Sequence, residues 1–114
     1  MVDNDSRFRE LVKQLLADES HIEIVGEAAG GREGLIKAEE LRPDLVLMDI
    51  GMPDMNGITV TDMITARMPD VKVIVLTVFD VEEYREAAKA SGAYGYIVKK
   101  NLVRELVPAI RSLF

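Results

Sequence analysis

The feature that most constrains the fold of this chain is a run of apolar residues, Leu45–Met48, that stops at one carboxylate, Asp49. Gly51 and Pro53 follow almost at once and indicate that the run ends there. A run this short and this rich in branched side chains is typical of a buried strand. Because both faces of such a strand must be covered, it predicts a parallel sheet with helices on each side.

Asp49 itself has two interpretations. In open parallel sheets, ligands bind beyond the carboxyl ends of the strands, which is where Asp49 lies. An Asp after a strand could equally do no more than cap the turn that follows it. The residues at the other strand ends decide between a binding site and a cap.

Strands and helices alternate along the rest of the chain. Apolar residues at helical spacing predict five helices, and short apolar or alternating runs predict three further strands. The helices are expected within residues 8–16, 35–41, 60–67, 81–91 and 102–114, and the strands over residues 22–26, 71–77 and 95–99. With 114 residues, this alternation predicts a single doubly wound α/β domain.

The helix ends carry their own signals. Asp5 or Ser6 is expected to cap the first helix, and Asn101 is expected to cap the last one. Pro108 falls inside the last helix and removes a backbone donor, so we expect a kink or an interruption there.

Polar side chains stand at the predicted strand ends. Right-handed crossovers place the carboxyl ends of all the parallel strands at one edge of the sheet. That edge collects Asp3, Asn4, Asp49, Thr77 and Lys99. Acid, hydroxyl and amine groups that converge at one edge favour a binding site over a simple cap at Asp49.

This set of groups suits a magnesium ion and a phosphoryl group. Mg²⁺ prefers hard oxygen ligands, and a cation relieves the repulsion between neighbouring carboxylates. The Asp49 carboxylate can attack phosphorus to give an aspartyl phosphate. The metal, Lys99 and Thr77 would then stabilise the charge on the transferred group.

Composition argues against several other classes of function. The net charge of −6 leaves no basic face for nucleic acid, and no apolar run is long enough to span a membrane. The absence of cysteine excludes disulfides and thiolate metal sites and suits a reducing cytoplasm. The only histidine, His21, is interpreted as an exposed loop residue rather than a catalytic one.

Several of these segments together resemble the response-regulator receiver domain of two-component signalling, and within it the NarL/FixJ-like (LuxR-type) subgroup. The resemblance covers nearly the whole chain and is carried by residues 2–4 with Phe8 and Arg9, by residues 43–53, by Gly57 and Thr77, and by residues 92–99. It implies one receiver domain over residues 1–114. Its fold would be flavodoxin-like, with five parallel strands in the order 2-1-3-4-5.

The resemblance also implies roles for individual residues. Asp49 corresponds to the phosphoacceptor, Thr77 to the switch hydroxyl, and Lys99 to the amine that forms a salt bridge with the phosphoryl group. Tyr96 corresponds to the aromatic switch that turns inward when Thr77 moves. The same ring can also be a half-buried packing residue, and both interpretations can hold at once.

The metal site implied by the resemblance differs from the usual one. Asp3 and Asn4 correspond to the acidic pair that serves Mg²⁺, together with Asp49 and the backbone carbonyl of Gly51. Asn4 stands where the family usually has a second Asp, so one anionic ligand is lost and weaker Mg²⁺ binding is expected. Asp5 is close in sequence, but as a helix cap it is expected to point elsewhere.

The N-terminus departs from the family pattern as well. Receivers have several apolar residues before the acidic pair, which form the middle strand of the sheet, and Met1 and Val2 are too few for it. We expect a sequence that starts downstream of the native start, so that the first strand is truncated or missing. The alternative is a chain whose centre is filled by a partner or by rearrangement.

The function implied is that of a signalling switch and not of an enzyme. A sensor histidine kinase would phosphorylate Asp49, and the last two helices with the last strand would form the partner or homodimer surface. Control of transcription would pass through a DNA-binding domain that this chain lacks. The alternative is a degenerate receiver that binds proteins without phosphorylation. A phosphatase of the aspartate-nucleophile class would need a second Asp where Gly51 stands.

Overall fold

The computed structural model describes all residues, 1–114. The first two helices follow one another with no strand between them, strands and helices then alternate, and a short 3₁₀ turn (Lys99–Asn101) precedes the last helix. The helices are α1 (Ser6–Leu16), α2 (Gly31–Leu41), α3 (Gly57–Arg67), α4 (Glu82–Ala90) and α5 (Leu102–Leu113), and the strands are β1 (Leu45–Met48), β2 (Lys72–Thr77) and β3 (Gly95–Val98).

The three strands form one parallel sheet in the order β1-β2-β3. Met48 at the end of β1 lies opposite Val75 of β2, and Thr77 at the end of β2 lies opposite Val98 of β3. Because the strands are parallel, their carboxyl ends share one edge of the sheet, as the sequence predicts.

Helices cover both faces of this sheet. Successive residues of a strand point to opposite faces, and two neighbours in β1 show the division. Val46 belongs to a core cluster with Leu35 of α2, whereas Leu47 belongs to a second cluster with Val12 of α1 and Leu106 of α5. The prediction of a doubly wound α/β sheet is confirmed.

Val2 lies beside β1 in the position of a further strand. It forms isolated parallel bridges with Ala28 on one side and with Met48 on the other. Its N–H donates to the Leu47 carbonyl at 2.8 Å, and its carbonyl accepts from the Asp49 N–H at 2.9 Å. A single residue therefore makes the ladder contacts that a middle strand would make.

The strand expected over residues 22–26 is not formed. A strand needs a neighbour to receive its backbone hydrogen bonds, and Met1 and Val2 reach only as far as Gly26 and Ala28. The alternating apolar side chains earlier in that segment have no strand beside them. The five-stranded order therefore stays a prediction.

A groove of about 650 Å³ lies between this segment and β1. Its walls include Ile22 and Ile24 on one side, Val46 of β1 on the other, and Leu41 and Phe114 at the helix ends. Phe114 is 66% exposed and Leu41 48%, which leaves large apolar side chains in contact with water.

Asp5 caps α1, as the sequence predicts. Its carboxylate accepts hydrogen bonds from the N–H groups of Arg7 at 3.0 Å and Phe8 at 3.3 Å. These are two of the amides that an α-helix leaves without a partner in its first turn. The cap also directs the Asp5 carboxylate away from the strand ends.

The start of α5 differs from the prediction. The Asn101 side chain makes no capping hydrogen bond, and the 3₁₀ turn before α5 ends with a bond from the Leu102 N–H to the Lys99 carbonyl. α5 then continues through Pro108 as one helix, so the predicted interruption does not occur. None of the helices combines the length and the apolar character needed to cross a bilayer.

Candidate functional site

Three strand ends and the N-terminal segment bring the predicted polar residues together. Asp49 directly follows β1, Thr77 ends β2, and Lys99 directly follows β3. The buried polar or charged side chains of the chain are Asp3, Asp49, Thr61 and Thr77. Three of these four belong to the predicted site, which agrees with a site built into the core and not with a surface cap.

Lys99 joins the two carboxylates. Its ammonium lies 2.7 Å from Asp3 Oδ2 and 4.0 Å from Asp49 Oδ1. The side chain of Lys99 is only 15% exposed, so this charge is held close to both acids with little water around it. The predicted convergence of Asp3, Asp49 and Lys99 is present in the structure.

The backbone holds Asp3 in place. Its N–H donates to the Ala28 carbonyl at 3.0 Å, and its carboxylate Oδ1 accepts from the Asp5 N–H at 2.8 Å. The guanidinium of Arg9, which lies near the start of α1, donates to the Asp3 carbonyl. With Oδ1 committed to the backbone, Oδ2 is the oxygen that faces Lys99.

Burial raises the pKa of Asp49 above the usual range, and the negative charge of Asp3 adds to the rise. The Lys99 ammonium and the backbone N–H groups of Ile50 and Gly51 act in the opposite direction but do not cancel the rise. The Ile50 N–H donates to Asp49 Oδ1 at 2.9 Å. A carboxylate whose negative charge is only partly compensated in this way is stabilised by a cation placed next to it.

The raised pKa of Asp49 has a consequence for stability. A carboxyl whose pKa is higher in the folded state binds its proton more tightly there, so its contribution favours folding at low pH and is lost as the pH rises through the folded pKa. We therefore expect Asp49→Asn to unfold at a higher temperature than the native chain at pH 7. The difference should shrink as the pH falls toward the usual range of Asp, near about 4.

Asp54→Asn is the matched control for this measurement. The N–H groups of Arg32 and Gly31 donate to the Asp54 carboxylate and lower its pKa, so its contribution favours folding above that range and is lost as the pH falls. Asp54→Asn should lower the unfolding temperature at pH 7, with the opposite sign to Asp49→Asn. Thermal unfolding of both variants between pH 4 and 7 checks this, and equal signs would contradict it.

Thr77 and Tyr96 are connected through one residue, Phe79. The Thr77 side chain is fully buried, and its hydroxyl oxygen accepts from the Phe79 N–H at 3.3 Å. The Tyr96 hydroxyl donates to the Phe79 carbonyl at 2.7 Å, and the Arg85 guanidinium lies 4.7 Å from the centre of the Tyr96 ring. Tyr96 is half-buried, so its packing role is present in the structure, and its role as a switch stays a prediction.

The remaining predicted metal ligands are Asn4 and Gly51. Both are exposed at the strand-end edge. Asn4 directly follows the buried Asp3, and Gly51 lies two residues after the buried Asp49. Carboxylate, amide and carbonyl oxygens are the hard donors that Mg²⁺ takes. No three acidic, histidine or cysteine side chains converge as a metal-binding group.

Two residues near the site were given no role from the sequence. The Phe8 ring lies 4.0 Å from the Lys99 ammonium, measured to the ring centre. Asp54 accepts from the Gly31 and Arg32 N–H groups and so caps α2 from a loop 23 residues away. Phe8 belonged to the segment that carries the family resemblance, but no sequence signal links Asp54 to α2.

The last two helices and the last strand carry exposed apolar side chains. Val103 of α5 is 75% exposed, and Tyr94, the residue just before β3, is 50% exposed, while Tyr84 of α4 and Val107 of α5 are partly buried. His21 is exposed and lies outside every helix and strand, which agrees with its interpretation as a loop residue.

The sequence pattern of the family described as "Response regulator receiver domain" matches residues 1–111. The response regulator protein VraR of Staphylococcus aureus is 41% identical over 113 residues, which cover 97% of this chain and 53% of VraR. The chain thus spans about half the length of the curated relatives it matches.

Solved structures agree with this match. A LuxR-family DNA-binding response regulator from Staphylococcus aureus superposes with a TM-score of 0.90 at 28% identity, covering 98% of this chain and 93% of that one. CheY from Borrelia burgdorferi, in its complex with CheX, BeF₃ and Mg²⁺, superposes with a TM-score of 0.92 at 29% identity, covering 99% and 85%. With acid, hydroxyl and amine gathered at the strand ends of this same fold, the chain belongs to the response-regulator receiver domains, in the NarL/FixJ-like (LuxR-type) subgroup.

Proposed function

We propose that this receiver domain accepts a phosphoryl group on Asp49 and acts as a switch, not as an enzyme with a substrate of its own. The observation that carries the proposal is the position of Asp49. It is a buried carboxylate at a strand end, with the Lys99 ammonium 4.0 Å away and the Asp3 carboxylate bound to the same ammonium. Receiver domains of response regulators interact with histidine kinases, so the donor is proposed to be a phosphohistidine.

The transfer requires little from the protein beyond position and charge. A carboxylate oxygen of Asp49 forms the new bond to phosphorus as the phosphorus–nitrogen bond to the donor imidazole breaks, and the imidazole leaves with the electron pair. Lys99 turns from Asp3 toward the phosphoryl oxygens and offsets their charge. Burial keeps these charges out of water. Their attraction is stronger in this environment of low dielectric constant than it would be in water.

The residues that would hold Mg²⁺ are Asp3, Asn4, Asp49 and the carbonyl of Gly51. Bound there, Mg²⁺ supplies positive charge to the phosphoryl oxygens and to the carboxylates. Burial and the charge of Asp3 raise the pKa of Asp49, and a cation beside the carboxylate would offset both effects, which supports this assignment. The Mg²⁺ and BeF₃ in the complex of the CheY relative support it further.

The switch is proposed to run from Thr77 to the outer face of the domain. If the Thr77 hydroxyl turns toward the phosphoryl group, it gives up the hydrogen bond from the Phe79 N–H. The Phe79 carbonyl also accepts from the Tyr96 hydroxyl, so a shift of the Phe79 backbone would free that hydroxyl to turn inward. The surface that changes would be α4, β3 and α5, with Val103 as its most exposed apolar residue.

This surface is proposed to bind a second copy of the chain after phosphorylation. The LuxR-family regulator that superposes on this chain is described as DNA-binding, which supports a role in transcription. A DNA-binding domain outside the 114 residues would then be the element that the switch controls. The net charge of −6 assigns no DNA contact to the receiver itself.

The complete sheet is proposed to have five strands in the order 2-1-3-4-5. Val2 makes parallel bridges on both sides, to Ala28 and to Met48, which supports a middle strand at its position. The groove beside it would hold the remainder of that strand, and residues 22–26 would then become its other neighbour.

Labelling with acetyl phosphate and Mg²⁺, followed by intact-mass measurement, tests the phosphoacceptor. The native chain should gain one phosphoryl group, and Asp49→Asn should gain none. Asp54→Asn, which changes an exposed acid on the next loop, should be labelled like the native chain. An adduct of similar yield on Asp49→Asn would show that another acid is the acceptor.

The second candidate is a receiver that binds a protein partner without phosphorylation. Asn4 favours it, because the loss of one acid leaves no three-acid metal cluster. Sedimentation of the native chain with and without beryllofluoride and Mg²⁺ separates the two candidates. A mass that stays the same, together with no acetyl phosphate adduct, would favour the second one.

Asn4→Asp is expected to tighten Mg²⁺ binding by about tenfold. A new carboxylate near the cation is worth up to about 4 kcal/mol at an effective dielectric near 20, but its desolvation and its repulsion by Asp3 and Asp49 offset much of that. A net gain of about 1–2 kcal/mol remains. Titration of both forms with Mg²⁺ measures the ratio, and equal affinities would mean that Asn4 is only a structural residue at the start of α1.

A further inference from the structure

The Lys99 ammonium is enclosed on three sides by groups from different parts of the chain. Asp3 Oδ2 lies 2.7 Å away, Asp49 Oδ1 lies 4.0 Å away, and the centre of the Phe8 ring also lies 4.0 Å away. The two acids are the expected partners of a lysine. The aromatic ring differs from them in having no net charge.

Phe8 is fixed in this position by the start of α1. Its N–H donates to the Asp5 carboxylate at 3.3 Å, and the Asp5 N–H in turn donates to Asp3 Oδ1 at 2.8 Å. The helix cap therefore sets the distance between the Phe8 backbone and the Asp3 carboxylate. The ring is half-buried and packs against the core cluster that lies between α1, α5 and the sheet.

The contact is one that the ring chemistry favours. The face of an aromatic ring carries negative partial charge and attracts a cation within about 6 Å of its centre, more strongly where water is excluded. Lys99 is only 15% exposed, so the attraction is weakly screened. An aliphatic side chain at position 8 could fill the same space but would leave the ammonium facing a surface that cannot stabilise it.

We propose that Phe8 is a positioning residue for phosphoryl transfer, whose ring face holds the Lys99 ammonium beside Asp49. In the unmodified chain Lys99 pairs with Asp3, and during transfer it turns to the phosphoryl oxygens. A charged holder would compete with those oxygens for the amine. A neutral ring faces the ammonium in both arrangements and confines its movement to the short path between them.

This inference rests on the proposed phosphorylation of Asp49, and its test uses a series of fluorinated phenylalanines placed at position 8 alone. Each fluorine withdraws charge from the ring face while the shape changes little. The rate of labelling by acetyl phosphate at saturating Mg²⁺ should fall stepwise with fluorine number, by roughly five- to tenfold over the series. Phe8→Leu should be labelled about as slowly as the most fluorinated form. Phe8→Tyr, which keeps an aromatic ring face, should be labelled at the native rate.

A second readout does not depend on phosphorylation. A methylene group next to an ammonium over a ring face experiences the ring current, so the ε-methylene protons of Lys99 should be shifted upfield in the NMR spectrum of the unmodified chain. The shift should disappear in Phe8→Leu. Phe114→Leu is the control, because Phe114 is 66% exposed at the end of the chain and should change neither the shift nor the rate.

The outcomes separate the two proposals. If the native chain is labelled but the rate does not depend on fluorination, Phe8 is a packing residue and the positioning role is wrong. An absent ring-current shift would also overturn it. If the native chain is not labelled at all, the phosphoacceptor proposal fails, and the positioning role fails with it.

Discussion

Four apolar residues added before Met1, with side chains that alternate between the two faces of the sheet, should raise the free energy of unfolding by about 3 kcal/mol. For a domain of this size that corresponds to an unfolding temperature higher by roughly 10 °C. The reason is the groove of about 650 Å³ beside β1, where two backbone segments lie on either side of an unfilled strand position. The expected gain is a substantial part of the total stability of an ordinary domain.

The register of the added residues follows from the contacts of Val2. Since Val2 lies opposite both Met48 and Ala28, the two residues added directly before Met1 would lie opposite Val46 and Leu45. On the other side, four added residues would reach from Gly26 back to Glu23. Leu47 and Asp49 already direct backbone groups toward Val2, so Leu45, two residues earlier in the same strand, directs its N–H and carbonyl to the same side.

The expected gain is the balance of three favourable effects and one cost. Each branched side chain that becomes buried contributes about 1.5–3 kcal/mol, and each ladder hydrogen bond about 1 kcal/mol. Ordering each new residue costs about 1–2 kcal/mol, which offsets most of the sum. In addition, burial lowers the pKa of the Met1 amine, and an extension replaces that buried charge with a neutral amide.

A polar extension of the same length is the control. Four residues of Gly and Ser have the same backbone but no apolar side chains, and glycine loses more conformational freedom on ordering. Thermal unfolding of both extended forms and of the unextended chain gives the comparison. Equal unfolding temperatures for the two extensions would mean that no strand forms in the groove. Backbone amide exchange at residues 22–26 should slow only in the apolar form.

The strand ends could be predicted because they depend on local signals. Apolar runs of strand length mark β1 and β2, and parallel crossovers put Asp49, Thr77 and Lys99 at one edge whatever the details of the helices. Burial of Asp3 and Asp49 follows from the same topology. These features need only the order and direction of the strands.

The segment at residues 22–26 shows what such local signals cannot predict. Its alternation favours a strand, but a strand is a relation between two segments, and the partner position holds only Met1 and Val2. The pattern within the segment carries no information about its neighbour. Asn101 is a similar case: its residue type favours a helix cap and it directly precedes α5, yet its side chain makes no capping hydrogen bond.

The hydrogen-bond partners of residues that lie far apart in the sequence could not be predicted either. Asp54 caps α2 across 23 positions, and Lys99 pairs with Asp3 across 96 positions in the unmodified chain. The pairing of Lys99 with Asp3 depends on which oxygen of the Asp3 carboxylate is free after its local bond is made. For Asp3 the Asp5 N–H takes Oδ1, and only the three-dimensional structure reveals that Oδ2 is left for the lysine.

Gly57→Ala is expected to destabilise the domain by about 3 kcal/mol or more and to slow the labelling of Asp49. Gly57 opens α3 and donates its N–H to the Ile50 carbonyl at 2.9 Å, which brings the helix start against the strand end. A Cβ at this position would lie 1.8 Å from the Asp49 carbonyl oxygen and 2.9 Å from the Ile50 Cα. Both obstacles are backbone atoms, so no side-chain rotation can relieve the clash.

The substitution must therefore either break the Gly57–Ile50 hydrogen bond or displace the backbone of Asp49. The first costs stability, and the second moves the acceptor carboxylate relative to Lys99, where a shift of about 1 Å is enough to lower the rate of transfer by two orders of magnitude. Gly95→Ala is the control, because a Cβ there meets Ile74 at 3.5 Å, an ordinary contact. It should change stability by less than about 1 kcal/mol. Denaturant unfolding and acetyl phosphate labelling of both variants measure the two effects, and a Gly57→Ala chain as stable and as reactive as Gly95→Ala would show that the Asp49 backbone is not held by the start of α3.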